Sequence, residues 1–228
     1  MRRALAGLML VLPLSACETG LGPAPSLASY SVASVAVDPG AGSGQLGDWT
    51  KQAHATFGDF ATADVVIVGD SITALGWSEL QAALAARGIA LAGSYWSGRP
   101  TTAAVDWATS LSRKPRVLVM ASGTNDIFDP LVMTGQIARL KAWAGSSTVL
   151  VWVDVFAARP GRTEKADRRN AALVNDQIRA NLPASSVCSW SMWFAKKPSR
   201  EGAYLKDGIH PVKGVGTAFW TAVVAGCI

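Results

Sequence analysis

Three short stretches of this chain are apolar at every position: VVIV at 65–68, VLVM at 117–120 and VLVWV at 149–153. A strand with one wet face alternates apolar and polar side chains, so unbroken runs of this kind need cover on both faces. That requirement points to the middle of a parallel sheet with helices above and below. The segments between the runs carry helical stripes: Trp77, Leu80 and Leu84 ahead of Gly88, then Met133, Ile137 and Leu140 ahead of Gly145. A third stripe, Val174, Ile178 and Leu182, stops at Pro183. Ile89 to Tyr95 and Ser186 to Trp190 read as weaker strands and bring the expected number to about five. Strands alternating with helices through right-handed crossovers predict an α/β chain, a three-layer α/β/α sandwich around a parallel sheet. Active sites in such sheets collect beyond the carboxyl ends of the strands.

The N-terminus obeys different chemistry. Arg2 and Arg3 precede an apolar stretch from Ala4 to Leu14, and Leu14, Ser15, Ala16 and Cys17 form a small-residue cleavage site. Residues 1–16 therefore read as a secretory signal, too short to span a bilayer. Cys17 directly after Leu-Ser-Ala resembles a bacterial lipobox, which implies an exported lipoprotein held at the membrane by a lipidated Cys17. An ordinary cleaved secretory peptide is the alternative, and both destinations lie outside the cytoplasm. Residues 18–47 are rich in Gly, Ala, Ser and Pro, with two acidic and no basic residues, and predict a flexible linker. The folded body is expected over 48–228, a length suited to a single core.

The whole chain carries 21 basic and 16 acidic residues, and losing Arg2 and Arg3 leaves 19 against 16, a net charge of +3. With no basic cluster, this balance argues against a nucleic-acid partner. With Cys17 assigned to lipid, Cys188 and Cys227 are left in an oxidising compartment, where a disulfide is the natural pairing and two buried thiols are the alternative. Too few further Cys and His residues exist for a zinc site, and no metal or cofactor is expected.

Four blocks carry the chemistry. Gly69-Asp70-Ser71 follows the first run, so Ser71 stands on a strand-to-helix turn, where the bland reading is a helix cap. Trp96-Ser97-Gly98-Arg99 follows the second strand. Gly123-Thr124-Asn125-Asp126 follows the third, and Asp207-Gly208-Ile209-His210 lies near the end. Neutral serine is a weak nucleophile that needs a base titrating near working pH, which histidine provides. An Asp-x-x-His turn can bring the carboxylate to one ring nitrogen while the other faces the serine. His54, the second histidine, lies outside every block and reads as structural or exposed. No G-x-S-x-G elbow occurs, which counts against an α/β-hydrolase proper.

In this order the blocks resemble those of the SGNH hydrolases, also called the GDSL family, over about Asp64 to Gly216. The resemblance implies a flavodoxin-like SGNH fold and a serine esterase acting on acyl or acetyl esters without a cofactor. It casts Ser71 as nucleophile, His210 as general base and then acid, and Asp207 as its orienting carboxylate. The N–H groups of Ser71 and Gly98 and the side chain of Asn125 would form the oxyanion hole. The chain departs from the family pattern in continuing GDS with Ile72-Thr73 rather than leucine, and in lacking an asparagine ahead of the Gly98 block. The partners implied are an acyl-ester substrate, an acetylated glycan or a lipid, and the membrane through the anchor. Two other readings stay open: an acyltransferase that hands the acyl group to an envelope glycan, and a non-catalytic envelope-binding lipoprotein. Trp96, Phe128, Trp190, Trp193, Phe194 and Tyr204 form either an aromatic wall beside the cleft or, as nine tryptophans in a small domain suggest, part of the core.

Overall fold

In a computed structural model of the chain, residues 36–44, 46, 49–52 and 54–228 are described. The expected signal, Cys17 and most of the expected linker lie outside the described residues. Among these, six strands form one sheet: β1 (Ala55–Phe57), β2 (Val65–Gly69), β3 (Leu91–Tyr95), β4 (Val117–Ala121), β5 (Val149–Val153) and β6 (Val187–Cys188). Their order is β1-β3-β2-β4-β5-β6. Every position of β2 and β4 is buried, as two-sided cover of an all-apolar strand requires. β1 runs antiparallel to β3 and all other pairs are parallel. The short, largely exposed edge strand β1 is an addition to the five expected from sequence.

Without β1, the parallel strands follow the flavodoxin-like order 2-1-3-4-5, whose direction of winding reverses between β2 and β4. The helices are α1 (Ser71–Ala85), α2 (Thr101–Thr109), α3 (Met133–Ala144), α4 (Glu164–Asn181), the short α5 (Met192–Ala195) and α6 (Glu201–Tyr204), and α7 (Val215–Ala225). α1 packs on α7, while α2, α3 and α4 pack side by side, which gives the two outer layers of the sandwich. The predicted stripes face the core: Trp77, Leu80 and Leu84 on α1, Met133, Ile137 and Leu140 on α3, and Val174 and Ile178 on α4 are all buried. α7 approaches α1 closely at Gly76, where an added Cβ would lie 2.5 Å from the Trp220 ring.

The compact unit starts at Ala36, ahead of residue 48. Residues Pro39–Ala41 make a 3-10 turn on α4. Asp38 N–H donates to Asn170 Oδ1 at 2.9 Å, and Asn170 Nδ2 returns a bond to Asp38 O at 2.9 Å. Arg159 Nη2 donates to Ala41 O at 2.8 Å, and Ala41 is buried. A backbone this well paired is structure rather than linker. At the other end a disulfide joins Cys188 on β6 to Cys227 just beyond α7, with Cα atoms 5.8 Å apart and a sequence separation of 39. Closing a loop of that size stabilises the fold by about 4 kcal/mol in the chain-entropy model.

Candidate active site

The carboxyl ends of β2, β3 and β4 deliver three of the four sequence blocks to one edge of the sheet. After β2, Asp70 caps α1 by accepting the Ile72 N–H at 2.9 Å, and Ser71 is the first helical residue. A hydroxyl at this point feels the positive end of the helix. After β3 the chain turns through Gly98, whose φ of 76° belongs to the left-handed region open to glycine. Among the described residues, the N–H groups of Ser71 and Gly98 donate to no acceptor within the protein.

The fourth block arrives from a loop closed by a bridge between Leu205 and Pro211. Inside it Asp207 Oδ1 accepts the N–H groups of Ile209 at 3.1 Å and His210 at 2.8 Å, an Asx-type turn. Oδ2 is left free to meet His210 Nδ1 at 2.8 Å, and His210 Nε2 lies 2.9 Å from Ser71 Oγ. Since an ionised carboxylate only accepts, the ring proton belongs on Nδ1, and Nε2 accepts from the serine hydroxyl. Burial pushes the Asp207 carboxyl up, but the hydrogen bonds from His210 and Ile209 outweigh it and hold the group below the usual carboxylate range. Gly208 makes the loop possible: its φ is 77°, its carbonyl accepts the Ala158 N–H at 3.0 Å, and a Cβ there would collide with Ala158 O.

Asn125 sits differently from Ser71 and Gly98. It is buried behind the cleft, where Nδ2 donates to Asp70 Oδ2 at 3.3 Å and to Arg99 O at 3.2 Å. Both bonds are long, and its Oδ1 has no partner. An oxyanion would have to replace one of these two acceptors to use the amide. Beside it, Asp126 anchors the start of α2 by accepting from Thr101 Oγ1 at 2.6 Å and from Thr101 N–H at 3.0 Å. Burial pushes the Asp70 carboxyl up to about 7 and that of Asp126 up to about 6.

These two acids make stability depend on pH with a definite sign. Their folded-state pKa values stand above the ordinary 3.8, so at intermediate pH the folded state holds protons that the unfolded chain has lost. Their contribution is complete below 3.8 and is lost as pH rises towards 6 for Asp126 and 7 for Asp70. The melting temperature of Asp126→Asn is therefore expected to gain on that of the native chain as pH rises through this window. A constant difference across that range in a thermal titration would show that Asp126 is ionised throughout.

In front of these groups opens a cleft of about 320 Å³. Its lining combines the polar Ser71, Ser97, Gly98 and His210, the apolar Leu46, Ala74 and Leu75, and the charged Lys206. None of the six candidate aromatic residues lines it. Trp190 and Phe194 are buried and pack edge to face at 4.8 Å, Trp193 and Tyr204 pack on Phe219, and Phe128 lies under the Arg159 guanidinium. Trp96 is covered on both faces, by His54 at 3.6 Å and by Arg99 at 3.9 Å, which makes His54 both exposed and structural. These six side chains are framework, so among the described residues no aromatic side chain gives the cleft a stacking platform. Among the described residues no group of three His, Cys, Asp or Glu side chains converges as a metal site. Sequence reasoning missed Leu46, hidden in the expected linker, and Lys206, whose neighbours Asp207 and His210 carried all the signal.

Solved structures share this architecture. The chain is similar to a member of the lipolytic G-D-S-L family from Veillonella parvula, with a TM-score of 0.55, 17% identity, and coverage of 70% of this chain and 96% of that one. It is also similar to the C-terminal catalytic domain of peptidoglycan O-acetyltransferase A from Streptococcus pneumoniae, with TM-score 0.54, 14% identity, and 72% and 92% coverage. An acetylxylan esterase from Geobacillus stearothermophilus, solved as a catalytic mutant, matches with TM-score 0.53, 13% identity, and 75% and 93% coverage. No family model matches the chain, and no curated protein matches it in sequence. At such identities the likeness is one of fold: the chain has the SGNH, or GDSL, hydrolase fold.

Proposed function

We propose that this chain is an extracytoplasmic serine esterase that cleaves carboxylic esters through an acyl-enzyme. The observation that carries the reading is the hydrogen-bonded series Ser71 Oγ, His210 Nε2, His210 Nδ1 and Asp207 Oδ2, opening on a cleft. As Ser71 Oγ bonds to the acyl carbon, its proton passes to His210 Nε2, and Asp207 stabilises the imidazolium. The negative charge on the former carbonyl oxygen is met by the N–H groups of Ser71 and Gly98, with the Asn125 amide as third donor once it releases Asp70 or Arg99 O. The alcohol departs with the proton from Nε2. Water then repeats the sequence, and Ser71 is regenerated.

The export signal and the Cys17 lipobox support an envelope location with a lipid anchor. The apolar wall of Leu46, Ala74 and Leu75 and the modest cleft favour acetyl or short acyl groups, and an acetylated glycan is the substrate class in keeping with the fold neighbours that act on xylan and peptidoglycan. Hydrolysis of nitrophenyl esters of graded chain length tests the reading. Turnover should be greatest for the shortest acyl chains and should disappear when Ser71 is replaced. Absence of any Ser71-dependent turnover would remove it, and acyl transfer to an added alcohol without hydrolysis would replace it by the acyltransferase.

A further inference from the structure

The lining of the cleft is chemically mixed, and the base sets how an ester lies in it. In ester cleavage the imidazolium gives its proton to the oxygen of the departing alcohol, so the alcohol portion of the substrate lies on the His210 side. The apolar residues of the lining, Ala74, Leu75 and Leu46, are the ones suited to the acyl portion. Lys206 belongs to the alcohol side: it stands across the Leu205–Pro211 bridge from His210, and its N–H donates to His210 O at 3.0 Å. Its side chain is exposed and borders the cleft. The carboxylate next to it in sequence, Asp207, has both oxygens engaged by the Ile209 and His210 groups. Among the described residues no ion pair engages Lys206, and no acidic side chain borders the cleft. A cation therefore borders the cleft beside the catalytic base, with no acidic side chain among the described lining residues to neutralise it.

We propose that Lys206 is a specificity residue that recognises an anionic group on the alcohol portion of the ester. The substrate is then an ester of an acidic alcohol, such as an O-acylated sugar bearing a carboxylate or phosphate, rather than of a neutral one. This proposal rests on the esterase reading and adds the charge of the leaving group to it.

A matched pair of esters tests the proposal on the full chain: 3-acetoxybenzoate and the neutral 3-acetoxybenzamide, whose leaving phenols differ in one charge. The ratio of kcat/KM for the anionic over the neutral ester should fall about three-fold in Lys206→Met, the scale of an exposed ion pair, and further in Lys206→Glu. Lys206→Arg should restore it, and about 1 M salt should erase the difference between native chain and variants. An identical ratio in the native chain, Lys206→Met and Lys206→Glu overturns the proposal while turnover of the neutral ester leaves the esterase reading standing. If neither ester is cleaved, that reading falls. Calorimetric binding of 3-hydroxybenzoate then decides the anion site alone: about three-fold weaker binding in Lys206→Met supports it, and equal binding refutes it. Separate arms with O-acetylated galacturonate and acetylglycerol phosphate distinguish an acidic sugar from a phosphorylated alcohol, since the physiological class is the one whose kcat/KM depends on Lys206.

Discussion

Ser71→Ala should lower kcat by about 10³-fold or more and leave the melting temperature nearly unchanged. The two halves of that expectation have separate structural causes. The helix cap belongs to Asp70, which keeps its bond to the Ile72 N–H in the variant, while Ser71 Oγ is bonded to His210 alone. Deleting one half-buried hydroxyl costs on the order of 1 kcal/mol at most. Kinetics on a short nitrophenyl ester, alongside a thermal melt, check both halves. Turnover close to that of the native chain would take the nucleophile's role away from Ser71, and a collapsed melt would mean that the hydroxyl acts in folding.

Asp207→Asn is expected to cost on the order of 10² to 10³-fold in kcat with little change in KM. The replacement keeps an oxygen able to accept the Ile209 and His210 N–H groups, so the loop retains its turn. The amide nitrogen then faces His210 Nδ1, which must become an acceptor. The ring proton moves to Nε2, where it points at Ser71 Oγ and blocks proton uptake. Because the Asp207 side chain is 45% exposed, water replaces part of the lost charge, and the loss should stay below that of the serine variant. Equal activity of Asp207→Asn and the native chain across pH would show that the carboxylate only shapes the turn.

Much of this was legible in the chain, and what escaped did so for identifiable reasons. The core strands announced themselves because burial on both faces leaves no position for a polar residue, as in the run from Val65 to Val68. The triad was legible because serine, histidine and aspartate in those blocks have few other reasons to coincide. α7 escaped because VGTAFWTAVVA is apolar on nearly every side and rich in β-branched residues, so it lacks both helical contrast and helical propensity. It is helical because its Trp220 face fits against Gly76 of α1. β1 is three residues on an exposed edge, too short for a period to register. Asp38 escaped because its partner, Asn170, is 132 positions away, and no local pattern reports such a bond. Arg99, named in the sequence only as the end of its block, is fully buried against Trp96, where its backbone carbonyl also accepts from Asn125.

The docking of Asp38 and Ala41 onto α4 has a mechanical side. Any pull transmitted along the chain from its N-terminal segment reaches the body first at this point. There the reciprocal bonds between Asp38 and Asn170, and the bond from Arg159 to Ala41, take up the load. Asn170 also donates to Ile127 O, so force passes from the strap into the loop beyond β4 and into an eighteen-residue helix. Leu46 and the edge strand β1 come later in the chain than these bonds. Load entering at Asp38 is thereby met upstream of the cleft's lining, as a cable clamp sits ahead of a bearing.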